Sequence, residues 1–551
     1  MADSYGSVQA RGMRRILASS IGVTCAAALA LPLAPPAAAA VRGAPAAAAG
    51  TNTSAPAAEP GIPGSTQSLP LNPLTRDRAT GAVVLGLAPR TVRHFSMLGV
   101  VWDNADAELH GRVQVRTRAA GTGTWSDWQD VETHNADHAA DPGGEERASG
   151  RVRGATAPLW VGESDGVEVR VRAAGAAGVA GADEDASGAD RSGGDVEALP
   201  AGLQLELIDP GSDPAADAAS DEGAASDEGA ASDGGAASDG GAASDGGAAS
   251  DGGAASGEGA ASDGGAASGE GAAAPPPAAD ESRTGTLTAA EKTVSRANAG
   301  LAPLGATEIP ALSRAQTEAE LLALRRAESG ASAEAAGAEA AAGAQKQAKP
   351  YIGPRPAIKT RKGWGANEGL RKGGFIYTKK VKAAFVHHTA SGNNYTCSQA
   401  PSLIRGFYRY HVVSLGWRDI GYNFLIDKCG RIYEGRAGGV ARPVMGAHTL
   451  GFNTNSTGIA VIGSYGSKKP SSSAVKAVSR LTAWKLGLHG MNPKAKTYLT
   501  SGGGNLYAKG KKVRLNVISG HRDGFNTSCP GGKLYGKLGK ARKTAARYQG
   551  R

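Results

Sequence analysis

Between Ala218 and Gly271 the chain runs through nine six-residue units, AASDEG shading into AASDGG and AASGEG. Nothing in this stretch is more apolar than alanine, so it has no surface to bury, and its acidic residues repel one another. It reads as a disordered, solvated linker. Its six-residue period does not match the nine-residue glycine-aspartate repeat that folds around calcium. Any folded structure in the 551 residues must therefore form on either side of it. The expected organisation is a signal peptide over 1–40, a linker over 41–64, an all-β accessory domain over 65–210, a low-complexity linker and stalk over 211–350, and a second folded domain over 351–551. Within the stalk, residues 317–344 are rich in Ala and Glu and are expected to be partly helical.

The first 40 residues carry the pattern of an export signal. Arg11, Arg14 and Arg15 form a basic start, Ile16 to Leu33 is apolar, and PPAAAA supplies small residues before Val41. No later stretch is long and apolar enough to span a membrane. The expected location is secreted, extracellular or associated with a cell wall.

Charge is divided along the chain. Residues 351–551 contain 35 Lys and Arg against 5 Asp and Glu, a net of +30, so the stated total of +9 leaves −21 for the rest. A domain this basic suits a polyanionic partner. Export makes an anionic wall polymer the expected partner, not nucleic acid.

Residues 65–210 contain short runs of Val, Ile and Leu, several alternating with polar residues and separated by turn-formers, as in VQVRTR and VEVRVR. This period of two predicts an all-β, sandwich-like domain. Trp125 and Trp128 could stack on sugars or belong to the core. His94, His110, His134 and His138 do not recur at a ligand spacing, so no metal role is expected of them. Residues 351–551 read as α/β. AAFVHHTA, GYNFLID, RIYEG, TGIAVIG and RLNVISGH are strand-like, with a hairpin at KCG. APSLIRGFYRYHVVSLG and SSSAVKAVSRLTAWKLGLHG have helical spacing and stop near Gly416 and Gly490. Helices alternating with strands predict a mixed central sheet with flanking helices.

Three residues of the second domain could hold a metal. His387 and His388 alternate on a strand, so only one faces a given site. His521 and Cys529 follow the last strand. Two imidazoles and a thiolate suit zinc with a fourth position left for water. Copper would want an axial Met, and Met445 and Met491 are both distant from Cys529 in sequence. After the signal, the chain has three cysteines, Cys397, Cys429 and Cys529. An odd number leaves at least one unpaired. If Cys529 holds metal, Cys397 and Cys429 can pair, although counting alone permits two other pairings.

The motifs WGA, FVHHTA, GWRDIGYNFLID, YEGR, GAHTLGFNTNSTGIAVIG and GHRDGFNTSCP occur in this order. In this the chain resembles the peptidoglycan recognition protein and type 2 N-acetylmuramoyl-L-alanine amidase family over residues 351–545. The resemblance implies a Zn2+ site formed by His387, His521 and Cys529, and hence a Cys397–Cys429 disulfide. It implies Tyr422 beside the metal-bound water and Thr527 near the reacting carbonyl oxygen. His448, Arg436 and Asn453 match positions of the substrate cleft. On strand alternation alone, Tyr422 could instead share a core face with Phe424 and Ile426. The expected function is zinc-dependent hydrolysis of the lactyl-L-alanine amide bond of peptidoglycan. The alternatives are a peptidoglycan-binding protein without activity and a cysteine hydrolase using Cys529 with His521 as base.

Overall fold

A computed structural model describes residues 64–76, 83–133, 135, 137–174, 198–212, 287–328 and 350–551. The expected export signal, the acidic repeat and His134 lie outside the described residues. No helix among the described residues is long and apolar enough to cross a membrane.

The first domain is all β, as the alternation predicts. Its strands are β1 (Ser65–Pro70), β2 (Asn72–Arg76), β3 (Val83–Trp102), β4 (Gly111–Ala119), β5 (Gln129–Val131), β6 (Gly154–Ala155), β7 (Leu159–Ala173) and β8 (Gln204–Asp209). They join in one antiparallel network ordered β1-β8-β3-β7-β4-β5, with β2 and β6 also paired to β3. Register shifts interrupt the β3–β7 ladder between Leu87 and Met97, and such bulges bend and twist a strand. Val113, Val115, Val167, Val169 and Val171 fill one face and are fully buried. The alternate positions carry charge. The Arg170 guanidinium lies 3.9 Å from the Trp128 ring centre, and Arg116 lies 5.3 Å from both Trp125 and Trp128. These tryptophans are thus taken up by cation–π contacts.

The second domain is α/β. Its strands are β9 (Glu308–Ile309), β10 (Ile358–Lys359), β11 (Ala383–His388), β12 (Phe424–Ile426), β13 (Ile432–Glu434), β14 (Ser456–Val461), β15 (Lys496–Thr500), β16 (Lys512–Asn516) and β17 (Ile518–Gly520). Seven form a mixed sheet ordered β17-β11-β14-β12-β13-β10-β9, while β15 and β16 make a separate hairpin. Its helices are α1 (Ala289–Arg296), α2 (Arg314–Glu328), α3 (Ala400–Arg409), α4 (Ser472–Leu488), α5 (Gly532–Tyr535) and α6 (Leu538–Tyr548). Ser471 caps α4 by accepting from the Ala474 amide. A π-helical turn, Tyr410–Ser414, follows α3, and Gly416 ends it at φ +74°.

Alternation along the strands builds two cores. Val386, Phe424, Ile426, Ile459 and Val461 pack with Leu481 and Trp484 of α4 and Ala541 and Ala545 of α6. Leu425, Ala460 and Tyr422 join Leu403 and Phe407 of α3 in the other cluster. Tyr422 therefore does not share the Phe424 and Ile426 core; it precedes β12 and lies on the opposite side.

Two expectations about organisation need correction. Residues 287–328 were expected to be linker and stalk, but they fold onto the α/β domain. Ile309 of β9 pairs with Ile358, Leu301 and Leu321 join the core, and Asn298 donates to the Glu434 carboxylate at 2.9 Å. Low average hydropathy hid these few anchors. The β-domain is also no detached module. Met97, Val101, Trp160 and Ile208 enter the same apolar cluster as α3. Tyr410 Oη donates to Thr156 O at 3.0 Å, and Ser414 Oγ donates to Glu206 at 3.0 Å. The described residues of both domains fall in one compact unit.

Cys397 and Cys429 are joined by a disulfide across a separation of 32 residues, tying the start of α3 to the β12–β13 turn. Closing a loop of that size removes unfolded-state entropy worth about 3–4 kcal/mol. The Cys397→Ser/Cys429→Ser double variant should lose stability of that order in urea titration. An unchanged unfolding midpoint would show that the sheet holds the turn without it.

Candidate metal centre and cleft

The sheet topology brings the two distant histidines together. β11 and β17 are parallel neighbours with Val386 opposite Gly520. The next residue on each, His387 and His521, therefore stands at the carboxyl edge of the sheet, where open α/β sheets place their sites. Their ring centres are 4.5 Å apart. His521 opens a single 3-10 turn, fixed where Asp523 accepts from the Gly520 amide at 2.9 Å. The chain then loops back, with the Arg522 amide donating to Cys529 O at 3.0 Å, and so delivers the thiol to the same edge. Cys529 Sγ lies 3.8 Å from His387 Nδ1.

A fourth side chain completes the cluster, and it comes from the β-domain. His138, on the connection between β5 and β6, places Nε2 3.6 Å from Cys529 Sγ. The ligand atoms of His138, His387, His521 and Cys529 all lie within 4.8 Å of one another, and all four residues are buried. His138, of which no metal role was expected, thus joins the group of residues that could hold a metal ion. Spacing within one domain carries no information about a residue that reaches its partners from 249 positions away, the separation of His138 from His387.

The cluster fits a cation. In a tetrahedral zinc site with bonds of about 2.3 Å to sulfur and 2.0–2.1 Å to nitrogen, sulfur and nitrogen stand about 3.5 Å apart. Both ring nitrogens of His521 lack a hydrogen-bond partner although the residue is fully buried. Burial holds the His521 pKa down to about 3 and pushes that of His387 well below its usual value, with the neighbouring histidines adding repulsion. Both rings are therefore neutral and have lone pairs to offer. Burial and the Asp137 carboxylate push the Cys529 thiol well up, and a bound cation is what would stabilise its thiolate.

Around this cluster sits an oriented shell. Asp137 Oδ1 lies 2.9 Å from His138 Nδ1, and Oδ2 lies 3.6 Å from His521 Nδ1. With Nδ1–H donating to Asp137, the Nε2 lone pair of His138 faces the thiol. Burial works against the Asp137 carboxylate, but the two histidines outweigh it and hold its pKa below the usual range. His448 was expected to line the cleft. It is fully buried, with Nδ1 3.3 Å from His387 Nε2. His388 turns away and accepts from the Tyr465 amide at 3.2 Å. His411 stacks on Trp417 with ring centres 4.5 Å apart.

Tyr422 lies 5.6 Å from His387 and 5.8 Å from His138, ring to ring. Thr527 Oγ1 accepts from the Cys529 amide at 3.1 Å. It lines a cavity of about 340 Å3 with Trp102, Leu109, Asp137 and Phe525. Arg436 and Asn453 are buried, and both are occupied by the β5–β6 connection. Arg436 donates to the two oxygens of Glu146 at 2.8 and 3.0 Å. Asn453 Nδ2 donates to Asp141 at 2.7 Å and to Ala139 O at 2.8 Å.

Two family descriptions match the chain. "N-acetylmuramoyl-L-alanine amidase" matches residues 377–532, and "Rv3811 N-terminal galactose-binding domain-like" matches residues 49–192. Peptidoglycan-recognition protein SC2 of Drosophila simulans is 30% identical over 183 residues, 33% of this chain and 84% of that protein. Peptidoglycan-recognition protein 1 of Holotrichia diomphalia is 30% identical over 184 residues, 33% of this chain and 79% of that protein. Among solved structures, wild-type Drosophila PGRP-LB is similar at 25% identity, over 33% of this chain and 91% of that one, with a TM-score of 0.26. The six ordered motifs, the mixed sheet that carries them and these relatives agree: the chain belongs to the peptidoglycan recognition protein and type 2 N-acetylmuramoyl-L-alanine amidase family.

Proposed function

We propose that this protein is an exported, zinc-dependent N-acetylmuramoyl-L-alanine amidase that hydrolyses the bond between the lactyl group of N-acetylmuramic acid and the L-alanine of the stem peptide. The observation that carries this reading is the convergence of His387, His521 and Cys529 on one point at the sheet edge, with Tyr422 and Thr527 beside it. Members of the family that only bind peptidoglycan have usually lost one of these ligands. The +30 charge of residues 351–551 would concentrate the protein on anionic wall polymers.

Zinc held by these groups would polarise the amide carbonyl and acidify a water molecule. Tyr422 stays protonated, because burial first and the Cys529 and Asp137 charges second push its pKa well above the usual phenol value. Its hydroxyl is thus a donor that can orient the attacking water and hold a proton in place. The Thr527 hydroxyl can donate to the carbonyl oxygen as negative charge develops there. With Cys529 buried and its thiol pKa raised, a nucleophilic role for it has little support.

One observation favours a second reading. With His138 included, four protein ligands close the cluster, as in structural zinc sites, which would suit a metal-stapled binding protein. Thr527→Ala separates the two. An oxyanion donor is worth about 2.7–4 kcal/mol, or 100–1,000-fold in rate. The variant should keep its zinc by elemental analysis and release dye-labelled wall fragments more slowly by that factor. Equal rates with zinc retained would remove Thr527 from the reaction. No release by either protein, with His138 replaced in both, would favour the binding protein.

A further inference from the structure

We infer that the β5–β6 connection of the β-domain is a built-in occupant of the amidase cleft, with His138 as the fourth metal ligand, so that the chain in this conformation is latent. The inference rests on the metal-site reading above and adds to it an origin for the fourth ligand and a consequence for access.

Four residues that the family resemblance assigns to the site, Cys529, His521, Arg436 and Asn453, are approached by this one connection. His138 Nε2 approaches Cys529 Sγ. Asp137 flanks His521, with Oδ2 3.6 Å from Nδ1. Asp141 accepts from Asn453 and from the Gly451 amide at 2.9 Å. Glu146 takes the whole guanidinium edge of Arg436 and also accepts from the Arg418 amide at 2.9 Å.

The chemistry of these contacts is that of a ligand. The interface has an apolar part elsewhere, where Met97 and Trp160 meet α3. The β5–β6 connection buries two carboxylates, Asp137 and Glu146, and half-buries a third, Asp141. Burying a carboxylate is costly unless it is specifically paired. Here each is paired with a group of the cleft. A backbone carrying spaced carboxylates, with one group on the metal, presents what an acidic peptide substrate would present. Occupant and substrate cannot hold Arg436, Asn453 and the fourth metal position together. Because the occupant is tethered, it competes as an intramolecular ligand at an effective concentration of order millimolar.

Access can be read without measuring hydrolysis. The full chain is loaded with Co2+ in place of zinc, and its visible absorption is followed while acetohydroxamate, a small metal-binding anion, is titrated in. If His138 fills the fourth position, the wild-type spectrum responds weakly. His138→Ala should bind acetohydroxamate at least about tenfold more tightly, the factor expected when the open form is a tenth of the population or less. Glu146→Gln keeps all four ligands but weakens the hold on Arg436, and it should fall between the two. It also provides the comparison if His138→Ala misfolds. Failure of the wild type to take up one cobalt per chain would remove the metal reading and the inference with it. Uptake of cobalt with equal acetohydroxamate affinity in wild type and Glu146→Gln, and in His138→Ala if it folds, would overturn the inference alone.

Discussion

Cys529→Ala should abolish both metal uptake and hydrolysis. The thiol is 2% exposed and has His138 Nε2 and His387 Nδ1 as its nearest ring nitrogens, at 3.6 and 3.8 Å. It is the one ligand of the four that would bring negative charge, and without it a buried dication would face three neutral imidazoles. Loss of a partner that merely orients a ligand weakens metal binding about 10–100-fold, so loss of the thiolate should cost more. Elemental analysis after dialysis should find the variant metal-free and the wild type with one zinc per chain. Chelation of the wild type should have the same effect, and added zinc should reverse it. A cysteine nucleophile would behave otherwise, since alkylation would stop the reaction while chelators would not. A variant that retains one zinc per chain would remove Cys529 from the ligand set.

Arg361→Met should cost about 3–5 kcal/mol of stability, the usual loss when one partner of a buried ion pair is removed. Arg361 is fully buried. It donates to Glu368 at 2.7 and 3.1 Å, to Asp419 at 2.9 Å and to Gly435 O at 2.6 Å. Burial already pushes Glu434 up to about 7, partly offset by Asn298 and Arg361. Removal of the guanidinium would take this counter-charge from Asp419 and leave Glu368 with Arg371 alone, at 3.7 Å. The effect should reach the cleft, because Asp419 also accepts from the Ala437 amide at 2.9 Å and so fixes the backbone beside Arg436. Urea unfolding measures the loss directly. A change below about 1 kcal/mol would mean that water reaches these carboxylates and solvates them.

Much of the second domain was legible because its signals are local. The strand containing His387, the capped start of α4 at Ser471 and the hairpin through Cys429 each follow from a few neighbouring residues. His521 and Cys529 were legible as metal-binding types close together. His138 was not. It has no partner at a ligand spacing, and its approach depends on how two domains dock. The available signal was compositional: Asp137, Asp141, Glu145 and Glu146 form an acidic run in a chain whose other domain carries +30. The position of His448 was hidden for a related reason, since a motif match does not say which side of His387 a neighbouring ring occupies. Residues 287–328 were misread because a short edge strand and a few buried residues suffice to dock a polar segment onto a sheet that is already formed.

We propose that this site cleaves the lactyl-L-alanine amide with a metal held by His387, His521 and Cys529. Mass spectrometry of purified peptidoglycan incubated with zinc-loaded His138→Ala tests it most directly. The account predicts new stem peptides beginning with a free L-alanine amine, matched by glycan strands with free lactyl carboxylates, and neither product when Cys529→Ala is added to the same chain. Cleavage at another bond, or the same alanine termini at an undiminished rate from protein shown to be metal-free, would contradict it.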